Sequence, residues 1–215
     1  MSIDNSKAQN KETQDAISPG QAIELLKLGN QRFLGNSMLE RTYEDQIQQT
    51  ASGQYPFAVV LSCIDSRVPA ELVFDQGIGD IFNVRVAGNF VNPDILGSIE
   101  YGCKVAGSKA VVVLGHASCG AVKGACDDVN LGHITGMLAN LKPAVEAVQE
   151  EGDRSSANSA FVQKVVDMNI RLTSEAIRTQ SDVLREMEEN GEITIVGAMY
   201  DVKTGKVSFS DPLLA

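Results

Sequence analysis

Three stretches of the chain are apolar almost without interruption: Ala58 to Leu61, Lys109 to Gly115 and Ile193 to Asp201. Runs this short, rich in Val and Ile and bounded by polar residues, predict strands buried on both faces, as in a parallel sheet. Ile81 to Gly88 predicts another strand, and the Lys203 to Lys206 turn leads into Val207-Ser208-Phe209 as a hairpin. The intervening segments carry helical spacing. Ser18 caps and Pro19 opens a helix with Ala22, Ile23, Leu25, Leu26, Phe33 and Leu34 along it. Further helices are predicted over Tyr43 to Thr50, Asp94 to Gly107, Ala121 to Cys126, Ile134 to Val148 and Ala160 to Asn190, the last with Gly191 at its C-terminal cap. A short helix or helical turn follows Val68-Pro69. The order strand, helix, strand implies right-handed crossovers. The expected fold is α/β: a mainly parallel central sheet with flanking helices, an N-terminal helical arm and a C-terminal hairpin at the sheet edge. Residues 1–17 are polar and read as a weakly held lead-in, and 18–215 as a single domain.

Composition narrows the function. With 215 residues, 43% of them hydrophobic and 21% charged, the chain can bury a substantial core. A formal net charge of -10 argues against general nucleic-acid binding, which needs clustered basic residues. No apolar run reaches membrane length, and Met1 to Asp15 lacks the apolar centre of a secretory signal, so the expected location is cytoplasmic, without a membrane partner. Four cysteines, Cys63, Cys103, Cys119 and Cys126, in such a chain read as metal ligands or buried thiols before disulfides.

The candidate chemistry collects at two strand ends. The first strand stops at Cys63-Ile64-Asp65-Ser66-Arg67, and the third at His116-Ala117-Ser118-Cys119-Gly120. Parallel sheets place sites beyond the carboxyl ends of their strands. If these two strands lie close together, Cys63, His116 and Cys119 converge, supplying three of zinc's four tetrahedral positions and leaving the fourth open for water. Spacing alone also allows buried structural cysteines, a common fate of free Cys, and an ordinary salt bridge between Asp65 and Arg67. Cys103 reads as core. Cys126 lacks a close partner ligand, and His133 reads as a surface or helix-start residue. The alternating charges from Arg178 to Glu189 read as a solvated helix face.

Cys63-x-Asp65-Ser66-Arg67 followed by His116-x-x-Cys119 resembles the β-class carbonic anhydrases. The resemblance runs from about residue 18 to 211 and includes Ala22 to Phe33, Arg85-Val86-Ala87-Gly88-Asn89 and Gly197-Ala198-Met199-Tyr200-Asp201 with Thr204 to Val207. It implies one Zn²⁺ per subunit on Cys63, His116 and Cys119, and reversible hydration of carbon dioxide by zinc-bound hydroxide. Asp65, kept ionised by Arg67, would orient that hydroxide. In some members of the family the aspartate instead moves onto the metal; the absence of Trp here favours an open resting site. The resemblance further implies a substrate pocket of Gln54, Phe82, Tyr101 and Gly120, shared with a neighbouring subunit, hence a homodimer or higher homo-oligomer acting on CO₂ and bicarbonate. Two departures stand beside the ligands: Ile64 where many relatives have a small polar residue, and Gly88 where Ala is common. A CO₂ analogue as substrate, or a non-catalytic zinc or thiol redox role, stays open on the residues alone.

Overall fold

The computed structural model describes residues 5–210. Its centre is a five-stranded sheet of order β2-β1-β3-β4-β5. Strands β1 (Ala58–Ser62), β2 (Ile81–Arg85), β3 (Ala110–His116) and β4 (Thr194–Tyr200) are mutually parallel, and β5 (Val207–Phe209) closes the edge antiparallel to β4. The mainly parallel α/β reading with a terminal hairpin holds. β1 and β3 are neighbours, with Ser62 opposite Leu114, so the ends carrying the two motifs lie side by side.

Strand alternation divides the core in two. Val59, Leu61, Val111 and Val113 face one layer, which includes Cys63, Cys119 and the inward side of α9 (Ser159–Gln180). Ala58, Val60, Ala110, Val112 and Leu114 face the other, packed by Ala22, Ile23 and Leu26 of α2 (Pro19–Leu34). Every residue of β1 and β3 is buried, which explains their unbroken apolar sequence.

Several boundaries differ from the periodicity. Residues 5–17 are not a loose lead-in. Lys11–Ala16 form α1, capped by Asn10, and the Gln14 amide, 1% exposed, donates to Pro56 O at 2.8 Å and Ala106 O at 2.7 Å. Ile17 is buried beside α2. The polar composition hid this because the anchor is itself polar. Residues 1–4 and 211–215 lie outside the described residues. α3 (Tyr43–Thr50) and α4 (Ala70–Val73) match expectation. The predicted helix over Asp94 to Gly107 is α5 (Pro93–Glu100) followed by a π-helical turn, Tyr101–Val105. Beyond α6 (Gly120–Cys126), the Ile134 to Val148 stretch divides into α7 (Gly132–Ala139) and α8 (Lys142–Ala147), with Pro143 in the first turn of the second helix. The long C-terminal stretch breaks at Ser181. This residue leaves helical geometry to cap α10 (Asp182–Glu189), accepting from Leu184 N at 3.1 Å and donating to Glu100 at 2.6 Å. Nor is the charged face there wholly solvated: Arg178 pairs with Glu188 and donates to Ile195 O at 2.8 Å, tying α9 to β4.

Candidate metal centre

The two strand ends build one site. Cys63 follows β1 directly, His116 is the last residue of β3, and Cys119 is the N-terminal cap residue of α6. Between them Ser118 takes a φ of +58°, which turns the chain sharply enough to bring Cys119 back beside its own strand end. The ligating atoms of Cys63, His116 and Cys119 all lie within 4.8 Å of one another, and all three residues are buried. The Cys63 and Cys119 sulfurs are 4.0 Å apart. Two thiolates on a tetrahedral zinc at about 2.3 Å would stand about 3.8 Å apart.

The histidine is prepared in the same sense. Its Nδ1 lies 3.0 Å from Ala117 O, and a carbonyl can only accept, so Nδ1 carries the proton and Nε2 the lone pair. Among the described residues, Nε2 is buried without a hydrogen-bond partner. A buried imidazole nitrogen left bare beside two sulfurs is costly unless a cation takes its lone pair. The donor set, one imidazole and two thiols, fits zinc. Cys63 is held below its ordinary value by its contact with Cys119, helped by His116 and the Gly88 N–H, while Cys119 is pushed up by the same neighbouring sulfur and by burial.

Asp65 sits at the mouth of this centre. Arg67 Nε donates to its Oδ1 at 2.9 Å and Nη2 to its Oδ2 at 2.8 Å, and the Arg67 backbone N–H adds a third bond at 3.0 Å. This fork holds the Asp65 carboxyl well below the usual carboxylate range. Asp65 Oδ2 lies 3.8 Å from His116 Nε2, too far for a hydrogen bond but facing the same point.

The other expected residues divide. Phe82 and Tyr101 meet edge-on with ring centroids 6.2 Å apart. They line a groove of about 830 Å³ along the β2 edge with Arg85, Asp94 and Ser98. Gly120 is exposed beside Cys119, and a side chain there would meet nothing within 4 Å. Gln54 is exposed and precedes β1, so within one chain it stands at the opposite end of the strand from Cys63. Ile64 points to solvent, 60% exposed. Cys103 is core and His133 is exposed in the first turn of α7, as expected, and Cys126 is half-buried.

The sequence places Arg85 in a matching segment but assigns it no role of its own. Its Nε donates to Cys63 O at 2.9 Å and its Nη2 to Asp65 O at 2.7 Å, clamping the loop that carries both residues. The available signal was a charge ending an otherwise strand-like run. Gly88 also gains a role: its N–H donates to Cys63 Sγ at 3.3 Å, and its φ of +86°, with a Leu141 methyl 2.7 Å from a would-be Cβ, favours glycine.

Comparison with known proteins points the same way. A model of the carbonic anhydrase family matches residues 58–207. Carbonic anhydrase 2 of Mycobacterium tuberculosis is 36% identical over 200 residues, covering 90% of this chain and 94% of that protein. The carbonic anhydrase of Mycolicibacterium smegmatis is 34% identical, covering 91% and 95%. Among solved structures, the β-carbonic anhydrase CcaA superposes with a TM-score of 0.71 at 23% identity, over 91% of this chain and 88% of that one. CafA of Aspergillus fumigatus gives 0.67 at 26% identity, over 79% and 82%.

Proposed function

The chain belongs to the carbonic anhydrase family, in its β class, and on that footing we propose that it catalyses the zinc-dependent, reversible hydration of carbon dioxide to bicarbonate and a proton. The observation that carries this reading is the bare, buried Nε2 of His116 facing two cysteine sulfurs 4.0 Å apart, with an arginine-held aspartate at its side. Cys63, His116 and Cys119 hold the zinc. Bound there, the metal supplies Lewis acidity and brings the pKa of a coordinated water to about 7.

The remaining steps belong to the chain. Asp65 would offer a carboxylate oxygen at the mouth of the centre as the acceptor for one hydrogen of the attacking water, orienting that water towards substrate. Arg67 occupies both carboxylate oxygens, keeps Asp65 ionised and holds it off the metal, which supports an open resting site. Arg85 fixes the loop through its two carbonyls. Phe82 and Tyr101 offer carbon dioxide an apolar wall, and Gly120 leaves room beside Cys119. Gln54, remote within its own chain, serves as an amide donor to the site of a second copy, so the working unit is a homodimer or larger. One solved relative, from Sordaria macrospora, is described as tetrameric. A reducing, cytoplasmic setting suits a site that needs both sulfurs free.

The test is stopped-flow carbon dioxide hydration on protein of measured zinc content. Activity should rise in proportion to zinc, to one ion per chain. Full activity in metal-free protein would overturn the proposal.

A further inference from the structure

Gly88 touches the centre from outside the two ligand-bearing loops, and it is itself held from a third element. Its N–H donates to Cys63 Sγ at 3.3 Å, and its carbonyl accepts from Asn169 Nδ2 at 2.8 Å. Asn169 lies midway along α9 and is 3% exposed. On the buried face of the helix it stands between Val162, Val165, Val166 and Ile170 on one side and Thr173 and Ser174 on the other, so its primary amide is a polar group taken out of water. Such a group costs stability in a core unless its bonds are used.

The bond it makes falls where the backbone most needs holding. Gly88 and Asn89 take φ values of +86° and +41°, two left-handed residues in succession. The turn is closed by Asn89 N donating to Val86 O at 2.9 Å. Beyond this closure, the Asn169 amide ties Gly88 to α9, and the direction of the Gly88 N–H follows from how the turn sits. A backbone N–H aimed at a metal-bound sulfur withdraws charge from it and fixes its lone pairs, as outer partners of metal ligands generally do.

We propose that Asn169 is a positioning residue for the metal centre: through Gly88 it fixes the N–H donor that Cys63 Sγ accepts, and so sets how tightly the centre holds zinc. The inference rests on the assignment of Cys63, His116 and Cys119 as ligands.

The test loads the full chain with cadmium-113 and looks for scalar coupling between the metal and the Gly88 amide proton, transmitted through Cys63 Sγ. Wild-type protein should show it. Asn169→Leu, close in volume but without a donor, should lose or weaken the coupling and bind zinc about 10-fold less tightly by chelator competition. Asn169→Ser should fall the same way and serves if the leucine variant does not fold. A purely structural role for Asn169 would lower the melting temperature of the metal-free variants yet leave zinc affinity and coupling intact, and that result overturns the proposal. Wild-type coupling absent despite thiolate-to-metal charge-transfer absorption overturns it too. Absence of that absorption in wild-type protein instead removes the ligand assignment beneath it.

Discussion

Two aspartates ten positions apart each meet arginine, and the contrast separates folding from chemistry. Asp75 is fully buried. It binds Arg32 at 2.5 Å, Arg41, and the Leu39 N–H at 3.2 Å, joining the end of α2, the following loop and the end of α4. Among the described residues, the Asp65 carboxylate takes its hydrogen bonds from Arg67, two residues on, whose side chain is 51% exposed. The first arrangement connects segments more than thirty residues apart and has an evident structural purpose. The second connects nothing distant. An exposed pair between near neighbours adds little to stability, which is compatible with the orienting role proposed for Asp65.

The largest effect should come from the centre both are measured against. Cys119→Ala should release zinc and bring carbon dioxide hydration to the uncatalysed rate, with metal analysis and stopped-flow assays run on the same sample. Retained zinc and activity would remove the centre altogether. Asp65→Asn should keep zinc but slow hydration by about 100-fold or more, with the unfolding midpoint unchanged. Asp75→Asn should do the reverse: about 3 kcal/mol lost in urea unfolding, because two arginines lose their buried counter-charge, and unchanged activity per folded, zinc-loaded molecule. If either variant behaved like the other, the division between the two pairs would fail.

A last effect, reaching the size of the Asp75 one only at its limit, concerns pH. Burial pushes the Asp80 carboxyl up to about 6, although Gly77 N donates to its Oδ2 at 2.7 Å. An unfolded aspartate titrates near 3.9, so between about pH 4 and 6 the folded state holds a proton that the unfolded state has released. Stability from this group is therefore lost as pH rises through that window, by up to about 3 kcal/mol. The difference in unfolding free energy between wild type and Asp80→Asn should accordingly widen against wild type from pH 4.5 to 7. A difference that stays level would show that Asp80 is not protonated in the fold.

Much of this was legible in the chain because period and composition report burial. β1 and β3 are apolar throughout since both faces are covered, and the polar break that ends each run marks where Cys63 and His116 stand. What periodicity could not show was contact made by polar groups. Gln14, Arg85 and Asn169 look like ordinary surface residues, yet each uses its donors on a distant carbonyl. Helix breaks at Ser181 and before Pro143 depend on capping and on a missing N–H rather than on hydrophobicity. Gln54 was readable as a residue type, but its distance from Cys63 emerges only from the direction of β1.

X-ray absorption at the zinc edge would read directly whether two cysteines and one histidine hold the metal. On protein loaded with one equivalent, the shell should contain two sulfurs and one imidazole nitrogen, falling to one sulfur or to no bound zinc in Cys63→Ala. A zinc shell without sulfur, or one unchanged by that substitution, would contradict that ligand set.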